Sequence, residues 1–468
     1  MKLLSGKKID ATEGPLFKGI ILYAIPLILS TLIQSCFNAV DLVVLGNMTK
    51  ESTAVASVGA TSAIVHLLVN TFVGIASGAK IILSRQFGAR DSHGIRRTVN
   101  TVILTATGLG ILIALFGVPF APQLLHMTKC PGDCFDGAKI YLCIYVAAAP
   151  AILLYNFGSA ILTSSGDSQR PMVYIIISGL VNVVLNVILC LILPQKVVAV
   201  AVATATSQVV AAFLVIRRLC VMEGDGRLIL KKIRFHFGAF RQIMAQGIPL
   251  ALTTALYPLS NLQIQSAIND IGVAAIAGNS AGSTIEGFTC SAISGPIAST
   301  TTVFMGQNIG AHKPGRIKET FWKCLALNMS LCAVIGLTVY FTSTFWLSMF
   351  LPGDVAAIGF GKLRLFFVAG FYFIAAANGV LSHAIQSFGH ATYSALSSIL
   401  CVFGFRMFWM WIVYPPYANA DETTSFTMLM ACFLVSWSIL LLFNIGGFIF
   451  FRRRFNKQII LDGHRLNP

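Results

Sequence analysis

Two carboxylates, Asp41 and Glu286, fall inside long apolar runs, whereas the other 15 of the 17 acidic residues lie in loops or near predicted helix ends. A charged side chain near mid-bilayer costs about 2.5–3.5 kcal/mol on insertion scales, so it persists where it binds an ion, takes up a proton or pairs with an opposite charge. Burial also raises a carboxyl pKa, which brings proton uptake toward neutral pH. Asn182 and Asn186 stand four residues apart and therefore share one helical face. Alone, such amides tie membrane helices together; joined by Asp41, they would form an oxygen-rich seat for a hard cation or a hydrogen-bonded seat for a proton. For Asp41 two placements stay open. It either ends its helix at the outer interface or lies deeper, as the apolar stretch Leu42–Leu45 and the helix-bending Pro26 favour. Arg406 is the most deeply placed basic residue, and Glu286 is its expected counter-ion. Gln34, Asn38, Asn156, Asn261, Gln265 and Asn378 are further polar residues of the apolar runs. With Arg406 they are the candidates for a substrate-binding cleft. The sequence has no phosphate-binding glycine loop, no His-Glu-x-x-His helix and no paired acidic motif for magnesium. ATP-driven pumping and hydrolytic catalysis are thus disfavoured, and no cofactor is expected beyond a coupling ion.

The elements that hold these residues follow from composition. Of 468 residues, 56% are hydrophobic and 11% charged, against about 25% charged in a soluble domain. Twelve runs are long enough to cross a hydrocarbon core, which takes roughly 20 apolar residues as helix. They span about 16–46, 54–83, 98–121, 138–163, 171–193, 197–216, 240–268, 273–305, 321–348, 358–386, 391–414 and 426–451. The net charge of +16 sorts by side: 25 of 33 Lys and Arg fall in the termini and the loops after even-numbered spans, including Arg96, Arg97, Lys231, Lys232 and Arg316. Cytoplasmic loops are enriched in such residues. The charge therefore reads as orientation, with both termini cytoplasmic and no nucleic-acid partner. Six basic residues, Lys362 and Arg364 among them, fall on the opposite side. The first apolar run exceeds a signal-peptide core and is expected to remain as helix 1. Cys130 and Cys134 share one predicted external loop, where a disulfide and a pair of thiols are equally open.

The chain also repeats itself. At an offset of 223 residues Ile25-Pro26-Leu27 falls on Ile248-Pro249-Leu250, Asn38 on Asn261, Ser164 on Ser387 and Gly166 on Gly389. Repeats with an even number of spans share one orientation, which predicts two bundles related by an axis along the membrane normal. The expected organisation is an all-α integral membrane protein of twelve transmembrane helices in two six-helix bundles. Its parts are an N-lobe over 1–218, an inter-lobe loop over 219–238, a C-lobe over 239–452 and a tail over 453–468. Two lobes about a cleft suit a carrier better than a channel.

Four short motifs, in order, resemble the multidrug and toxic compound extrusion (MATE) family nearly end to end. They are Val40-Asp41 followed by Gly46, Ser84-Arg-Gln-Phe-Gly-Ala-Arg-Asp91, Ser165-Gly-Asp-Ser-Gln-Arg-Pro171 and Gly306-Gln-Asn-Ile-Gly-Ala311. The resemblance implies two six-helix bundles about a V-shaped cleft. It also implies export of organic, often cationic, compounds in exchange for sodium ions or protons across a bacterial inner membrane. It places Asp41, Asn182, Asn186 and Thr204 at an N-lobe proton or sodium site and Glu286 at a position where many members carry Glu. Asn186 departs from members with Asp there, and helix 10 lacks the carboxylate that others use. The partners expected are a small organic substrate and the bilayer, with the chain acting as a monomer. A lipid or polysaccharide flippase of the same superfamily is the rival reading, with Arg406 in its favour.

Overall fold

The computed structural model describes residues 8–48, 52–128 and 130–466, without the side chains of 38, 39, 41–43, 45–48, 52–55 and 458–466. Its elements are helices, and no strand occurs among the described residues. Helices are what a lipid environment demands, because each satisfies its own backbone polar groups. In chain order they are α1 (Leu16–Met48), α2 (Ser52–Gly88) and α3 (Ser92–Met127). The pair Gly132–Ala147 and Ala149–Ser164, bent by 47° about Ala148, makes α4. Then come α5 (Gln169–Ile192), α6 (Lys196–Val221) and α7 (Phe237–Ile271). The segments Val273–Glu286 and Ala292–Gly310 form α8. The last four are α9 (Pro314–Phe341), α10 (Val355–Ser387), α11 (Ala391–Val413) and α12 (Glu422–Leu466). Each overlaps one of the twelve expected spans; the ninth, expected over 321–348, ends at Phe341, and a separate short helix, Ser343–Phe350, follows it.

Among the described residues nine helices are long and apolar enough to cross a membrane singly, and the bent pair of α4 makes a tenth. The two outside that set, α7 and α8, are rich in polar side chains, including Ser260, Asn261, Gln265, Asn269, Asn279 and Glu286. Their lower hydropathy marks where polar chemistry is concentrated.

The chain folds into two compact units. One comprises Ile25–Ala251 with the segment ending at Asp10; the other comprises Ala11–Ala24 with Leu252–Pro468. The division runs through α1 and α7, whereas the sequence pattern places the lobe boundary in the connection 219–238. In the first unit an apolar core gathers Leu83, Val99, Val102, Leu153, Phe157, Ile161 and Val215. In the second, Ile264, Ile268, Val368, Phe426, Met430, Phe433 and Trp437 do the same.

The motifs after α4 and at the end of α8 have structural work. Gly166 adopts φ +89°, and a Cβ there would lie 2.1 Å from the Ile9 carbonyl oxygen; the Ile9 N–H donates to the Gly166 carbonyl at 3.1 Å. Asp167 pairs with Arg170 in the following turn. In the second unit the Ala11 N–H donates to Gln307 Oε1 at 3.1 Å, and Asn308 Nδ2 donates to the Ala11 carbonyl at 3.0 Å. Backbone that would otherwise leave polar groups unmet at a helix end is thus tied down on each unit.

Candidate functional site

In the first unit α5 and α6 hold a run of neutral polar groups. Asn186 Nδ2 donates to Asn182 Oδ1 at 3.3 Å, and Asn182 Nδ2 donates to Thr204 Oγ1 at 3.4 Å. The Thr204 hydroxyl donates in turn to the Val200 carbonyl at 2.9 Å. Asn186 is fully buried and Asn182 nearly so. The structure therefore brings together three of the four residues expected at the N-lobe site. The fourth, Asp41, lies within α1, but its side chain and that of Asn38 fall outside the described residues. One turn earlier on α1, the Phe37 ring fills the space beside Gly179 of α5, three residues before Asn182. The α1 turn leading to Asp41 thus packs against the α5 turn leading to the amides. Gln34 on the same helix is exposed, and Asn156 of α4 is half-buried with its amide donating to the Ile152 carbonyl at 2.8 Å.

The second unit holds a charged site. Arg364 Nη2 donates to Glu286 Oε2 at 2.8 Å, and Arg364 Nη1 donates to Asn279 Oδ1 at 2.7 Å. Asn279 Nδ2 reaches Gln265 Oε1 at 2.8 Å, and Gln265 Nε2 reaches Asn269 Oδ1 at 2.9 Å. The pair is largely shielded from water, with side-chain exposures of 9% for Arg364 and 16% for Glu286. Charge-assisted bonds in such surroundings are the strong ones. Small residues make room: a Cβ on Gly278 would lie 2.3 Å from the Ala357 carbonyl oxygen, and one on Gly282 would lie 2.9 Å from Arg364 Cδ. Close approach of α8 and α10 is what sets acid against base.

Arg406 has a separate setting. Its side chain is fully buried, Nη1 donates to Asn261 Oδ1 at 2.6 Å and Ser260 Oγ at 3.3 Å, and Nε donates to Ser436 Oγ at 3.4 Å. Its guanidinium carbon stands 4.3 Å from the centre of the Phe433 ring and 5.3 Å from that of Tyr257. Asn378 lies in another buried network, donating to the Trp437 carbonyl at 2.8 Å and accepting from Asn444 Nδ2 at 3.1 Å.

Two expectations are corrected here. The counter-ion of Glu286 is Arg364, not Arg406. Arg364, counted by sequence among the outer-side basic residues, is buried within the second unit. Its place two residues after Lys362, at the edge of an apolar run, made it look like an outer-side residue; Asn279 and Glu286, the polar residues of α8 that it meets, were the available signal. Sequence also gave no sign of π-helical turns. One, Gly287–Ser291, follows directly on Glu286, another, Leu365–Ala369, follows directly on Arg364, and Arg406 stands between Ile399–Gly404 and Trp409–Val413. Such turns are rare and concentrate at functional sites. Cys130 and Cys134 stand as free thiols, the second of the two states left open. Partial desolvation and the neighbouring Cys134 sulfur push the Cys130 thiol up.

The family model described as MatE matches residues 26–188 and again 249–412, so its second match begins 223 residues after the first. The chain belongs to the MatE family. Its recurrence within the chain is the internal repeat seen in the sequence. Among MatE relatives, the Bacillus subtilis protein YoeA, described as a probable multidrug resistance protein, is 23% identical over 402 residues, covering 84% of this chain and 86% of its own. The Staphylococcus aureus multidrug export protein MepA is 22% identical over 330 residues, covering 70% and 72%. A solved transporter of the MOP superfamily from Pyrococcus furiosus, described as having a binding pocket of reversed polarity, superposes with a TM-score of 0.84 at 19% identity, covering 96% of this chain and 98% of its own. The likeness establishes a multi-pass membrane fold of the MatE type for this chain.

Proposed function

We propose that this protein is a secondary antiporter that exports small organic compounds, drugs among them, in exchange for protons or sodium ions. One observation carries the reading. The MatE match recurs in both halves, and each half encloses its own buried polar cluster, Asn182–Asn186–Thr204 in one and Glu286–Arg364–Asn279 in the other. The names of YoeA and MepA support drug export. Binding of an ion shifts a conformational equilibrium only by as much as the ion prefers one state. In the first unit the ion, a proton or sodium, would be received by Asp41 with the two amides and Thr204 as neutral oxygen donors. In the second, protonation of Glu286 would release Arg364 from its only carboxylate partner among the described residues and alter the α8–α10 contact. Neither step needs a bound cofactor or an enzymatic reaction. The protein would lie in the bacterial inner membrane with both termini cytoplasmic, working as a monomer.

The flippase reading gains from the second buried arginine, since cationic groups inside the membrane suit a phosphate-bearing substrate. Dye efflux from proteoliposomes under an imposed pH gradient or an imposed sodium gradient separates the two. Efflux under one of them supports antiport; efflux under neither, with lipid or glycolipid translocation instead, supports the flippase.

A further inference from the structure

The interior of the second unit holds two guanidinium groups and, among the described side chains, one carboxylate placed against either of them. Glu286 is already engaged by Arg364 at 2.8 Å. Arg406 has no carboxylate within 4 Å among the described residues, and its Nη2 is buried without a hydrogen-bond partner there. An arginine cannot shed its proton to escape this position. Its surroundings are neutral: one amide oxygen, two hydroxyls and two ring faces. These groups offset part of the desolvation cost through dipoles and ring quadrupoles, but none carries a net negative charge. A water molecule at Nη2 would satisfy its hydrogens and leave the charge as it was. The arrangement is that of a cation missing its anion.

We propose that Arg406 is the cationic wall of an anion-binding site inside the second unit, built with Asn261, Ser260 and Ser436 and suited to a small monovalent anion. The anion is a free halide or the carboxylate of a transported compound; both present one negative charge to the guanidinium edge. The π-helical turns on each side of Arg406 widen α11 where the site would open, and Phe433, which contacts the guanidinium groups of both Arg364 and Arg406, would register a change at either. The site stands apart from ion coupling, so halide binding can fail while gradient-driven efflux persists, and the reverse.

Bromide is the probe. Full-length purified protein is unfolded thermally in isethionate and in bromide at equal ionic strength, and crystals soaked in bromide are measured at its absorption edge. The expected result is a saturable rise in Tm with bromide, because a ligand of the native state stabilises it, and anomalous density beside Arg406 Nη2. Arg406→Gln loses the bromide-dependent rise, and Arg406→Lys keeps part of it. Acetate reproducing the rise assigns the site to carboxylates as well; a response to halides alone assigns it to free halide. No bromide response and no anomalous density in the wild type overturns the proposal. So does an equal bromide response in a folded Arg406→Gln protein. If that variant does not fold, the wild-type anomalous density alone decides.

Discussion

The two units confront the same problem, polar chemistry inside an apolar body, and meet it with opposite means. In the first, the described groups between α5 and α6 are neutral: two amides and a hydroxyl, linked at 3.3 and 3.4 Å. In the second, a guanidinium and a carboxylate meet at 2.8 Å, with a second guanidinium nearby in a neutral shell. Neutral groups can wait for a cation at little cost, each such hydrogen bond being worth about 1 kcal/mol net. A buried ion pair is different, because losing either partner strands the other's charge. The charged site of the second unit should therefore be the more brittle of the two, and the neutral site of the first the more responsive to added ions.

That contrast can be broken at several points. The largest effect belongs to Glu286→Ala, which leaves Arg364 without its carboxylate; breaking a buried pair costs about 3–5 kcal/mol, and the value here should sit at the low end because Glu286 keeps some solvent contact. The double variant Glu286→Ala/Arg364→Leu should recover part of that loss in thermal unfolding of the purified protein, and an additive result would show that the pair does not act as a pair. Next comes Gly278→Ala, whose added carbon would lie 2.3 Å from the Ala357 carbonyl. Overpacking of this kind costs about 1–3 kcal/mol, and it should lower transport together with Tm; unchanged values would mean that α8 and α10 need not approach so closely. A smaller effect is expected in the first unit. Asn186→Ala should cost about 1 kcal/mol of stability while removing any stabilisation by sodium seen in the wild type, read as the difference in Tm between sodium and choline salts. The smallest is Arg96→Ala: its 3.4 Å contact with Asp225 is largely exposed, and surface pairs contribute about 0–1 kcal/mol. A large loss there would show that this surface pair is structural.

How much of this was legible in the sequence follows from what each residue needed. The spans were legible because a bilayer imposes length and apolarity on every crossing, and the repeat was legible because Ile25-Pro26-Leu27 recurs as Ile248-Pro249-Leu250. Glu286 stood out by its cost in an apolar run, and the i, i+4 spacing of Asn182 and Asn186 put them on one face. Thr204 came only with the family resemblance, since one threonine in a helix carries no signal. Arg364 was hidden because a basic residue at a span's edge looks like an interfacial one, and its pairing depends on Gly278 and Gly282, whose role is the absence of a side chain. The π-helical turns depend on tertiary packing rather than on local composition, and nothing in the run Gly287–Ser291 announces one.

The first unit carries the central claim, that ion entry there drives export, and Asp41 is the residue on which it turns. The most direct measurement is dye efflux from proteoliposomes containing Asp41→Asn protein, inserted to the wild-type level, under whichever imposed gradient drives the wild type. The account predicts that gradient-driven efflux is lost while the protein remains folded. Efflux at the wild-type rate would contradict it.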